Sequence, residues 1–147
     1  MNTQKNIPDM SFYRLLLIDF LRESHPELLN DERFINARSD SAAETYEKAV
    51  QSGSNNVEAN EMAHEILFQG LHFSKHDTLV NILWNEFSAE LKEADAKALA
   101  IKLLPDCENV FFKYYLSDDF AYEPEYDLLY TELTGTIAIY LDKYGLQ

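Results

Sequence analysis

The stretch TLVNILWNEF (78–87) places Leu79, Val80, Ile82, Leu83, Trp84 and Phe87 around almost the whole circumference of a helix. A helix apolar on one stripe can lie on a surface, but one apolar on most sides has to be enclosed by others. This requirement points to a multihelical packing in which a helix near residues 76–91 is largely buried. The turn residues agree. Four Gly and four Pro in 147 residues are too few for a sandwich or barrel of many short strands. The expected fold is therefore all-α, a single-domain bundle of about six to eight helices over residues 1–147, with 1–9 a candidate flexible N-terminal segment.

Local signals divide the chain. SFYRLLLIDFLRES reads as a helix over 11–24, with Ser11 as its N-cap and Phe12, Leu15, Leu16 and Phe20 at helical spacing. Pro26 makes a corner. A long amphipathic helix follows from about Asp31, with Phe34, Ile35, Ala42, Tyr46, Ala49 and Val50 as its apolar face and Gly53 as its stop. After the loop SGSNN, the next helix presents Ala59, Met62, Ala63, Ile66, Leu67 and Leu71. Further on, EADAKALAIKLLP is expected to end at Pro105, with Asp106 capping a separate aromatic helix, CENVFFKYYL. Pro124 suits the first turn of a final helix whose pattern runs from Tyr126 through Leu129, Leu133 and Ile137 to Tyr144, closed by Gly145.

Two long stretches, FYRLLLIDFLRESHPELLNDERFINARSDSAAETYEKAVQSG and EANEMAHEILFQGLHFSKHDTLVNILWNEF, resemble an uncharacterised bacterial domain of unknown function found in gut and mouth anaerobes. The resemblance spans roughly residues 10 to 145, and HFSKHDTLVNILWNEF is its most specific part. It implies an all-helical fold with a buried central helix. Members sometimes lie near mobile genetic elements, which implies an accessory role there. No catalytic residue carries over.

The charge limits the partners. With 26 Asp and Glu against 12 Lys and Arg, the net charge of −14 repels nucleic-acid phosphates and anionic lipid surfaces. A protein partner, and a basic one, is the expectation, with no direct nucleic-acid or membrane binding, in a monomer or homodimer. The lone Cys107 cannot form an internal disulfide, which fits a reducing cytoplasm. MNTQKNIPDMSF lacks the order of a secretory signal, and no apolar run approaches the roughly 18 residues of a membrane span.

Catalytic constellations are sparse. His72 and His76 are four apart, the spacing of a helix-borne zinc motif, but Phe73 occupies the position of the general-base Glu. Ser74 and Asp77 moreover have the form of a capping box, which would start a helix between the histidines and part them. Glu61 and His64 form the chain's single Glu-x-x-His, whereas a di-iron bundle needs two such pairs and two further Glu. Cys107 sits between Asp106 and Glu108, whose charges suppress a thiolate. Neither a nucleophile elbow nor a phosphate-cradling glycine loop is present. No catalytic residue, cofactor or metal ligand is assigned.

The segment SDDFAYEPEYD (117–127) is the candidate recognition surface, with Asp118, Asp119, Phe120, Tyr122, Glu123 and Tyr126 as partner-binding residues. Aromatic anchors inside a charged rim suit a protein hot spot. Contact with a protein partner is the leading functional expectation. The alternatives are an acidic mimic of DNA that occupies a DNA-binding protein and, after it, a metal-dependent enzyme.

Overall fold

The computed structural model describes residues 8–145; of the N-terminal segment 1–9, only Pro8 and Asp9 fall within it. Among the described residues there are six α-helices, two short 3-10 turns and no strand: α1 Met10–Ser24, α2 Glu32–Gln51, α3 Asn56–Leu67, α4 Lys75–Glu86, α5 Glu93–Phe111 and α6 Glu125–Tyr144. The all-α expectation holds. The helices gather into two compact units that divide between Gln69 and Gly70.

In the first unit, α1 begins one residue earlier than expected, because Asp9 and not Ser11 is the cap. The Asp9 carboxylate accepts the Phe12 amide at 3.0 Å. The buried face is also turned by one position. Tyr13, Leu17 and Leu21 are interior, while Phe12 and Leu15 are exposed and Leu16 and Phe20 sit at the margin. The Tyr13 phenol explains this choice: its hydroxyl donates to Asn60 Oδ1 at 2.7 Å, so a ring with a polar tip can be enclosed without an unmet hydrogen bond. Helix α2 starts at the Asp31 cap and packs against α3; Ala42 and Ala49 of α2 and Ala59 and Ala63 of α3 are buried. Gly53, at φ +103°, takes the left-handed turn that closes α2.

The start of α3 is fixed by a capping box in which Asn55 and Glu58 each accept the other's backbone amide. Its end is held by Arg38. One guanidinium nitrogen, Nη1, reaches the carbonyls of Ile66 (3.3 Å), Leu67 (3.2 Å) and Gln69 (2.6 Å), at and just past the helix end.

In the second unit, α4 is enclosed as expected up to Leu83, but Trp84 is 38% exposed and the helix stops at Glu86. His76, Thr78, Leu79, Val80, Ile82 and Leu83 are buried on it, and Phe87 is buried just past its end. Around it pack Leu99, Leu103 and Phe111 of α5 and Leu129, Leu133 and Ile137 of α6.

The expected helix break at Pro105 is absent: α5 runs through it to Phe111. Proline removes one N–H and crowds the carbonyl four residues back. Here that carbonyl belongs to Ile101, and both Ile101 and Pro105 are exposed, so water can serve the freed group. On the opposite face Leu103, Leu104, Cys107 and Phe111 form an unbroken buried stripe. An interior helix proline costs about 3 kcal/mol, whereas burying each large apolar side chain returns about 1.5–3 kcal/mol, so Leu103, Leu104 and Phe111 together outweigh it. Packing wins.

Candidate contact surface

The histidine pair resolves into two unrelated structural roles. Ser74 is the N-cap of α4, its hydroxyl accepting the Asp77 amide at 2.9 Å, so the helix starts between the histidines as the capping pattern implied. His76 is buried in the first turn with Nε2 3.1 Å from the Lys97 carbonyl, and since a carbonyl only accepts, Nε2 bears the proton. His72 lies before the cap, more than half exposed, with Nδ1 3.1 Å from Asp118 Oδ2. In the first unit, the half-buried His64 stacks edge-on between Tyr13 and Phe68, at 6.1 and 6.0 Å between ring centres, and Glu61 is exposed. Among the described residues no three His, Cys, Asp or Glu side chains converge as metal ligands. Cys107 is buried in α5, and burial first, then Asp106 and Glu108, push its thiol up to about 12. A thiol so held is a core side chain, not a nucleophile.

The acidic-aromatic segment is built by rings that alternate between interior and solvent. Phe111 ends α5 inside the core. Phe120, in the 3-10 turn Phe120–Tyr122, is only 2% exposed and meets Phe73 edge-to-face at 5.3 Å, with Tyr114 at 5.8 Å and Tyr126 at 6.3 Å. Such offset ring contacts add about 0.5–1.5 kcal/mol each beyond burial. The turn is thus fastened from inside. Phe120 is therefore not an anchor offered to a partner, which corrects its place in the expected surface. Tyr126 is half-buried against the same cluster.

Asp118 is likewise engaged internally. Its carboxylate accepts the backbone amides of Gly70 (3.2 Å) and His72 (3.1 Å) besides facing the His72 ring. Partial burial raises its pKa, but the His72 amide, the His72 ring and the Gly70 amide outweigh it, and the carboxyl is held below its usual value. Glu132 of α6 is similarly taken up, accepting from Lys113 Nζ at 2.5 Å and from the Tyr114 hydroxyl.

Of the six expected contact residues, Asp119, Tyr122 and Glu123 remain outward-facing. Two further exposed rings lie in the stretch read from sequence only as an aromatic helix, CENVFFKYYL. Phe112 and Tyr115 are 88% and 86% exposed, and Tyr122 is 88% exposed. The signal was present in CENVFFKYYL: two adjacent aromatic pairs cannot both send each member inward, so one ring of each pair must face away.

A family model described as a domain of unknown function (DUF1896) matches residues 4–146. The chain belongs to that family. This DUF1896 chain is similar in fold to a solved structure, the crystal structure of protein PG0816 from Porphyromonas gingivalis, at 46% identity and a TM-score of 0.89, with 95% of each chain covered. No curated protein matches the chain. The resemblance carried by HFSKHDTLVNILWNEF thus holds for family, for all-helical fold and for a relative in an oral anaerobe. Among the described residues of this DUF1896 chain, no helix is long and apolar enough to cross a membrane.

Proposed function

We propose that this chain is a small cytosolic protein that works through protein–protein contact, offering Phe112, Tyr115 and Tyr122, with Asp119 and Glu123, to a basic partner. The observation that carries this reading is the exposure of three bulky rings, at 86–88%, within eleven residues of chain, beside the buried Phe111 and Phe120. Scattered surface apolar groups are ordinary, but three nearly bare aromatic side chains on one short, internally fastened segment suit a hot spot. Fastening matters for affinity, because a surface ordered beforehand loses less entropy on binding. The net charge of −14 favours encounter with a basic protein and disfavours phosphate backbones.

The test is affinity capture from a lysate of the source cells, comparing the native chain with Phe112→Ser/Tyr115→Ser/Tyr122→Ser. All three positions are solvent-facing, so the variant should fold. Proteins retained by the native chain and lost by the variant support the reading; identical capture sets refute it. Capture of a DNA-binding protein that duplex DNA displaces, equally from both forms, would instead favour the acidic-mimic alternative.

A further inference from the structure

We propose that α5 pairs antiparallel with α5 of a second copy of this chain, along the face turned away from the core of the second unit. Ala94, Ala98, Ile101, Pro105, Glu108 and Phe112 follow one another on that face by alternating steps of four and three residues. This is the 3.5-residue repeat by which two helices pack side by side over a long contact. All six are exposed, Ile101 by 50%. Phe112, the cap residue, keeps helical angles, so the stripe runs about 27 Å without a break. The core-facing stripe of Ala96, Leu99, Leu103 and Cys107 lies on the opposite side. The helix is thus apolar on two faces, and the core of the second unit covers one of them.

Two features select a second copy as the occupant. The first is local charge. Residues 92–113 hold four lysines (92, 97, 102 and 113) against four acids (93, 95, 106 and 108), a net of zero in a chain whose net is −14. Two molecules so acidic repel each other over most of their surfaces and meet most readily where charge balances. A basic partner gains no such advantage here.

The second feature is the order of those charges. Asp95, Lys102, Asp106 and Lys113 run along one flank of the stripe, all exposed and alternating in sign. Asp95 and Lys113 have their midpoint at position 104, and so do Lys102 and Asp106. Turned end for end about a twofold axis there, each of these acids faces a lysine of the other copy, the self-complementarity that an isologous contact requires. A parallel pairing would set like charges side by side. The stripe has nearly the same centre: Ala98 and Phe112 average position 105, so a small side chain of one copy leaves room for the large ring of the other. Glu108, the one charged member of the stripe, is already met at 2.7 Å by Lys75 of its own chain. A helix pair of this length is expected to bury on the order of 1,000 Å2, the lower edge of specific interfaces, which suits a dissociation constant in the micromolar range. Phe112 also belongs to the ring surface, so a second copy and a basic partner compete for it, whereas Tyr115 and Tyr122 lie past α5 and take no part in the pairing.

Sedimentation equilibrium of the full chain across the micromolar range tests this directly and should show monomer and dimer in exchange. Ile101→Asp should weaken dimerisation tenfold or more while the circular dichroism spectrum stays that of the native chain. Lys102→Glu and Asp106→Lys should each weaken it several-fold, because like charges then face each other across the axis. An equimolar mixture of these two variants should associate more tightly than either alone, since each introduced charge then meets its opposite in the other chain. A chain that stays monomeric throughout the series overturns the pairing. So does a dimer indifferent to Ile101→Asp, or a mixture no tighter than its components. The Ile101→Asp chain keeps Phe112, Tyr115 and Tyr122, so its capture of a basic partner reports on the ring surface separately from dimerisation.

Discussion

Asp118 holds His72 twice: Oδ1 accepts the His72 backbone amide and Oδ2 faces its imidazole, each at 3.1 Å. The loop after α5 is thereby tied to the residues that lead into α4. Asp118→Ala is expected to destabilise the chain by about 1 kcal/mol at neutral pH, the scale of one to two partly solvated hydrogen bonds to a charged group. The carboxyl is held below its ordinary value, so its contribution is present above the ordinary 3.8 and fades as pH falls through it and the lower folded value. Denaturant melts of both forms should therefore differ at pH 7 and converge in acid. A gap that does not shrink as pH falls below the ordinary 3.8 contradicts the assignment.

Phe120 and Tyr122 lie two residues apart and should respond in opposite ways. Phe120→Ala empties a ring site walled by Phe73, Tyr114 and Tyr126 and should cost about 3–5 kcal/mol. Tyr122→Ala, at a solvent-facing ring, should stay within about 0.5 kcal/mol of the native chain. Thermal melts separate the two, and similar losses would mean that the alternation of rings is misassigned.

Pro105 offers a test of the opposite sign. Pro105→Ala restores an N–H to the Ile101 carbonyl and relieves the ring contact in the middle of α5, while the side chain stays in solvent. A stabilisation of about 1–3 kcal/mol is expected in chemical denaturation. A destabilised variant would show that the proline ring contributes packing, or restricts the unfolded chain, more than the missing bond costs.

What could be read in the sequence was what local chemistry decides. The Ser74 cap, the stop at Gly53 and the enclosed face of TLVNIL each depend on a few neighbouring residues, and each stands, whereas Trp84, expected on that face, is exposed. Pro105 was misread as a helix end because the deciding factor is distant: α4 and α6 cover the Leu103–Phe111 stripe and leave the proline face to water. The turn of α1 to its Tyr13 face depended on Asn60, forty-seven residues away. The contact surface was half legible. Asp119, Tyr122 and Glu123 were found from composition, but which ring of each aromatic pair faces outward is set by the Phe73–Phe120–Tyr126 cluster, and no local pattern encodes it.

Tyr13 gives a pH signature at the alkaline end. Burial first, then the neighbouring Tyr46, push its phenol up to about 12 from an ordinary 10.0. A raised folded value means that the protonated form stabilises the fold fully below pH 10, and that this contribution is lost as pH rises toward 12. Ultraviolet titration should show a late-ionising tyrosine that disappears in Tyr13→Phe. Its persistence in that variant would assign the late titration to another residue.

The most direct measurement of the contact proposal is calorimetric titration of a captured partner against the native chain and against Phe112→Ser/Tyr115→Ser/Tyr122→Ser. If each ring contributes about 1 kcal/mol or more, as hot-spot aromatics do, affinity should fall about a hundredfold or further. The melting temperature should be unchanged. Equal affinity for the two forms would contradict the assignment of this surface.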